Sequence, residues 1–104
     1  MQHIVTAQRK FFYTGQTKAY AFRMEQLKKL KKMLQTYETD IYEALYFDLS
    51  KSRHEVLTTE LGILHAEIDF TMKHLQSWMA DEPVPAPLTH KGTKSLIRYE
   101  PYGV

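Results

Sequence analysis

Cysteine is absent from all 104 residues, so the chain can form no disulfide, hold no metal through a thiolate and offer no cysteine nucleophile. Glycine is scarce. The four glycines, at 15, 62, 92 and 103, are too far apart to build a glycine-rich loop that cradles phosphate. No apolar run approaches the roughly 20 residues that span a bilayer. The opening Met1-Gln2-His3-Ile4 lacks a basic stretch followed by an apolar one, so it does not read as a secretory signal. The formal net charge of +2 is too small to demand nucleic acid. What remains, 43% hydrophobic and 25% charged residues, is the make-up of one small cytoplasmic globular domain.

The first three quarters of the chain carry helical spacing. Ile4, Phe11 and Phe12 lie on a first helix, about 4–13, and Gly15 just beyond suits a helix end, since glycine adopts positive φ without a Cβ clash. Thr17 can cap the next helix through its hydroxyl. Tyr20, Met24, Leu27, Leu30, Leu34, Tyr37, Ile41 and Leu45 follow at steps of three or four and form one stripe. Thr36 and Thr39 are candidate caps, and Glu38 and Asp40 suit a helix start, so the stripe is read as two helices, about 18–36 and 38–49. Ser52-Arg53-His54-Glu55 has the spacing of a capping box. It precedes a long helix with Leu57, Leu61, Leu64, Ile68, Met72, Leu75 and Met79 on one stripe and Ile63, Phe70 and Trp78 off it. A helix apolar on two sides needs neighbours on two sides. Residues 81–94 read as a proline-rich linker and turn, because the alternating Pro83, Pro85 and Pro87 cannot continue a helix. Ser95–Tyr99 reads as a strand, and Pro101–Val104 as a turn entering another.

Few residues invite chemistry. His65 and Asp69 stand four apart, as two metal ligands can, but neither His54 nor His74 supplies a third by spacing, and structural histidines are the better reading. Lys28, Lys29, Lys31 and Lys32 form the densest basic run. Interleaved with Leu27, Leu30 and Leu34, they read as the wet face of an amphipathic helix rather than a nucleic-acid or membrane contact. Glu25 stands four residues before Lys29 and supports that helix. Glu43 with Asp48, and Glu67 with Asp69, do not share a helix face, so no acid–base pair is expected. The methionines are core filler.

Several segments resemble class 3 aldehyde dehydrogenases when taken together. They are Phe11 to Lys18, Phe22-Arg23 with Gln26-Leu27, Ala44-Leu45 with Asp48-Leu49 and Lys51, Thr59-Glu60 with Glu67-Ile68 and Trp78, and Glu100-Pro101 with Gly103-Val104. The match runs in order through essentially the whole chain. Each motif is weak alone, and five in register are specific. The resemblance implies NAD or NADP as cofactor, an aldehyde as substrate, and attack by a cysteine thiolate followed by hydride transfer to the nicotinamide. In that family the cysteine, the water-activating glutamate, the oxyanion-hole asparagine and the nucleotide-binding segments all lie beyond the part matched here. No catalytic, cofactor-binding or metal residue is therefore carried over to this chain.

The expected fold is mainly α: about four helices of an α/β aldehyde dehydrogenase, then the proline-rich linker and the start of a β-hairpin. The expected division is 1–80, helices packing on a cofactor-binding domain; 81–94, linker and turn; and 95–104, strand leading into a bridging region. The expected function is that of an inactive N-terminal scaffold within a cytoplasmic, homodimeric or self-associating NAD(P)-dependent enzyme, with no cofactor bound by this segment and no nucleic-acid or membrane contact. The alternatives are a stand-alone helical protein-interaction module, or a basic amphipathic nucleic-acid or membrane-surface binder.

Overall fold

Helix α1 (Gln2–Tyr13) ends at Thr14, and Gly15 follows with φ 77°, the left-handed conformation that a glycine after a helix permits. The computed structural model describes residues 1–104. A single 3₁₀ turn (Gln16–Lys18) leads into α2 (Tyr20–Thr36). Thr17 does not cap α2 as expected. The 3₁₀ turn separates it from the helix start, Ala19 takes the N-cap without a side-chain bond, and the Thr17 hydroxyl is buried without a partner. The Thr17 carbonyl accepts instead from Arg23 Nε at 2.9 Å.

The two-helix reading of the middle segment holds. α2 stops at Tyr37, whose φ of −100° and ψ of 17° leave the helical region, and α3 (Glu38–Leu49) begins at once. Neither threonine is a cap, and the Thr36 hydroxyl donates back to the Lys32 carbonyl at 2.9 Å. Glu38 and Asp40 occupy the first turn of α3, where their charge favours the helix dipole. Ser50 closes α3 at φ 54°, a left-handed position filled by a residue other than glycine.

Ser52 caps α4 (Arg53–Val56): its hydroxyl accepts from the Glu55 N–H at 3.2 Å. The return bond from the Ser52 N–H to the Glu55 carboxylate is not made, so half of the expected box forms. Ser52→Ala should destabilise the chain by about 1 kcal/mol, because one helix-end donor loses its acceptor. Superimposable urea melts of the two proteins would show that the cap contributes nothing.

The long helix is one rod with a change of pitch. α4 runs into a π turn (Leu57–Leu61) and then α5 (Gly62–Trp78). The Gly62 N–H reaches back five residues to the Leu57 carbonyl. This extra residue rotates the apolar register. The expected stripe had Leu57, Leu61 and Leu64 on one face; the structure buries Val56 and Leu61, five apart, and leaves Leu57 and Leu64 about half exposed. Glycine is required at the joint, since a Cβ at 62 would stand 2.4 Å from the Leu57 carbonyl oxygen. Gly62→Ala should therefore cost about 2 kcal/mol, either as strain or through collapse of the π turn. An alanine variant as stable as the parent in the same melts would contradict that geometry.

The core is small. Leu34, Tyr42, Val56, Leu61 and Ile68 form its buried cluster, with Ile41, Leu45 and Met72 packed against them. α2 lies along α5, and Lys31 ties the pair by bonding Asp69. Only 6 of 104 residues are buried, and the molecule measures 65 × 33 × 22 Å. Its radius of gyration, 19.9 Å, far exceeds the roughly 13 Å of a compact chain this long.

The hairpin forms earlier than the sequence suggested. β1 (Glu82–Val84) arises within the proline segment and pairs antiparallel with β2 (Ser95–Ile97), Pro83 opposite Leu96. Alternation explains it: Glu82 and Val84 can serve the ladder while Pro83, which has no N–H, occupies the position between them on an edge strand. Residues 101–104 form no second strand.

Candidate functional site

The residues that invited chemistry are drawn into structure. Asp69 is held by Lys31 and not by His65, whose Nδ1 is buried without a partner. His74 Nδ1 lies 2.9 Å from the Phe70 carbonyl oxygen, so that nitrogen carries the proton. No group of three or more His, Asp or Glu side chains stands close enough to hold a metal ion. Of the four lysines in the basic run, Lys29 pairs with Glu25 at 2.7 Å and Lys31 with Asp69. Lys28 and Lys32 remain exposed. The Lys29 ammonium, hydrogen-bonded to Glu25, holds that carboxyl below its ordinary range.

Three clusters emerge from the fold, two of which the sequence did not indicate. The first is a groove of about 270 Å³ between α3 and the start of α4, lined by Thr39, Tyr42, Glu43, Tyr46, Lys51 and Arg53. Its floor is structural. The Arg53 guanidinium sits 4.7 Å above the Tyr42 ring, and Tyr42 donates its hydroxyl to Glu38 at 2.8 Å. That hydrogen bond to a carboxylate raises the Tyr42 pKa, and burial adds to it. Lys51 donates to Glu60 at 2.6 Å, which raises the pKa of the ammonium.

The second cluster clasps the base of the hairpin. Arg98 donates Nε and one terminal nitrogen to the two oxygens of Asp81, at 2.8 and 2.7 Å. This fork lowers the Asp81 pKa and raises that of Arg98. Because the carboxyl pKa is depressed, the clasp is intact above the ordinary carboxylate range and is lost as pH falls through the lowered value. Lys18 reaches Glu100 at 3.0 Å and fastens the hairpin side to the 3₁₀ turn.

The third is an aromatic row on the outer face of α5. Phe70 and His74 have ring centroids 4.2 Å apart, and both lie 5.8 Å from Trp78. Phe70 and Trp78 are about half exposed, as is Ile63 further along. This is the second apolar set read from the sequence, and nothing in the chain covers it.

The chain has no glycine-rich turn. A dinucleotide pyrophosphate needs backbone N–H groups at a glycine-rich turn, and Gly15, Gly62, Gly92 and Gly103 stand alone. A wider groove of about 590 Å³ lies beside Trp78, with Asp81 and Glu82 at its edge.

No protein-family model matches the chain. Individual proteins do. The chain is 50% identical over 93 residues to a 4,4'-diaponeurosporen-aldehyde dehydrogenase of Staphylococcus aureus, covering 89% of this chain and 20% of that protein. It is 42% identical over 93 residues to aldehyde dehydrogenase family 3 member B3 of Mus musculus, covering 89% of this chain and 19% of the relative. Among solved structures, the substrate-bound state of Staphylococcus aureus AldH superposes with a TM-score of 0.86 at 47% identity, over 91% of this chain and 21% of that one. The chain thus spans about a fifth of the length of the curated relatives it matches.

Proposed function

On the premise that this chain is homologous to the N-terminal region of family 3 aldehyde dehydrogenases, we propose that it is the helical scaffold of an NAD(P)-dependent enzyme that oxidises aldehydes to carboxylates. The observation that carries the reading is the structural correspondence: the chain follows the Staphylococcus aureus AldH structure over 91% of its length, with a TM-score of 0.86. The open architecture supports it, since 6 buried residues in 104 describe one layer of a larger fold. In the proposed enzyme, residues 1–80 pack on the cofactor-binding domain, 81–94 connect, and 95–104 lead into the bridging sheet. NAD or NADP and the aldehyde bind to parts outside these residues, and the chain itself contributes no catalytic, cofactor-binding or metal residue.

The same reading makes the enzyme a cytoplasmic homodimer in which this segment touches neither nucleic acid nor membrane. No helix is long and apolar enough to cross a membrane. Half of the lysine run is engaged in ion pairs, which fits a solvated helix face better than a phosphate-backbone contact.

Catalytic silence tests the proposal. Thiohemiacetal formation needs a thiolate, and the chain has no cysteine. The purified 104-residue chain, supplied with aldehyde and either NAD or NADP, should give no aldehyde-dependent rise in reduced-nicotinamide absorbance. Turnover that survives repurification would overturn the scaffold reading.

A further inference from the structure

A cleft of about 130 Å³ opens where the 3₁₀ turn, α2 and the hairpin base meet, lined by Lys18, Arg23, Asp81, Arg98, Tyr99 and Glu100 among others. Three cations against two carboxylates leave these groups at +1. The carboxylates are already committed: Asp81 gives both oxygens to Arg98, and Glu100 gives Oε2 to Lys18. Arg23 differs from the other two cations. It is half-buried, its Nε donates to the neutral Thr17 carbonyl at 2.9 Å, and no carboxylate of the chain bonds its terminal nitrogens. A guanidinium carries five donors in a fixed planar fork, and one partly withdrawn from water is left short of charged acceptors here.

We propose that this cleft binds a small phosphate-class oxyanion, with the terminal N–H groups of Arg23 as the bidentate fork and Lys18 and Arg98 as flanking charges. A fork alone would serve a carboxylate equally well. Lys18 and Arg98 keep N–H donors beyond those given to Glu100 and Asp81, so a tetrahedral anion, which presents oxygens in more than one plane, can be met from several sides. The volume admits about four waters at ~30 Å³ each, so inorganic phosphate or the phosphate end of a small monoester fits. Bound there, the anion would join the 3₁₀ turn and α2 to the hairpin through charge, at a seam that otherwise rests on two exposed ion pairs.

The test is a titration of the purified chain followed by amide and guanidinium resonances, at ionic strength held constant with chloride. Inorganic phosphate should shift the Arg23 Nε–H and the Tyr99 amide saturably, with acetate binding more weakly. Arg23→Gln should weaken phosphate about tenfold or more, the loss of a charge-assisted hydrogen-bond pair. Lys18→Gln, which removes only an exposed ion pair of small stabilising effect, should weaken it a few-fold. Glycerol phosphate titrated in parallel separates the sources: tighter binding of the ester assigns the site to a monoester, tighter binding of the free ion to phosphate itself, and either sustains it. Shifts that chloride reproduces, acetate saturating as tightly as phosphate, or undiminished affinity in Arg23→Gln would overturn the proposal. If Arg23→Gln does not fold, unchanged affinity in Lys18→Gln and in Arg98→Lys overturns it equally.

Discussion

Leu61→Ala is expected to destabilise the chain by about 3 kcal/mol, within the range for deleting a fully buried leucine. Leu61 is 1% exposed, and with Val56 it makes up the fully buried centre of the molecule. The surrounding cluster has only five members, so little else can collapse into the space left behind. Total stability for a chain with so sparse a core falls at the low end of the usual 5–15 kcal/mol, so the loss is a large share of the whole. Leu64→Ala, three residues along, is the control. Leu64 is 48% exposed, and its removal should change stability by no more than about 0.5 kcal/mol. Urea melts followed by helical circular dichroism decide the matter. Equal losses would contradict the placement of Leu61 in the core and of Leu64 at the surface.

Self-association is the second large effect. Ile63, Phe70 and Trp78 are each about half exposed on α5, Phe70 and Trp78 with ring centroids 5.8 Å apart. Contiguous apolar surface beyond a few hundred Å² is ordinarily hidden by association. The edge of β2 is a second driving force. The pairing of β1 with β2 removes one of its edges and leaves the helix face as the main one. The purified chain should therefore sediment as a dimer or larger species across a concentration series. Trp78→Lys should weaken the association by more than about tenfold, as expected for a central aromatic anchor. A chain that stays monomeric at high concentration, with Trp78 fluorescence already blue-shifted, would mean that this face is closed within one molecule.

What was legible in the sequence was local. Gly15 after α1, the break at Tyr37 and the Ser52 cap follow from residues within a turn of the feature, and all three appear in the fold. Thr17 misled because a 3₁₀ turn, which its sequence does not announce, intervenes before the helix. Leu61 was legible on the expected stripe, whereas Val56 was hidden by the assumption of uniform α pitch. Gly62 in the middle of a helix, costly there for its entropy, was the available signal. Tyr42 escaped notice because a tyrosine among polar residues reads as exposed; Glu38 one turn earlier is what satisfies its hydroxyl and allows burial. The clasp of Asp81 with Arg98 and the cleft at Arg23 join segments far apart in the chain, which no local periodicity reports.

The homology to aldehyde dehydrogenases was legible where the residues themselves recur in order, from the aromatic first helix to Glu100-Pro101-Tyr102-Gly103-Val104. Chemistry was not, and the side chains that invited it, Asp69 and two of the four lysines of the basic run, are engaged in ion pairs. The central claim concerns what surrounds these residues, and it is tested most directly by the size of the native protein. An antibody raised against residues 1–104 should detect, in cells that carry the gene, a species roughly four to five times the chain's 12.3 kDa, since the chain spans about 20% of its relatives. That species should reduce NAD or NADP when given an aldehyde. A native protein of 12.3 kDa alone would contradict the account and favour a free-standing helical module.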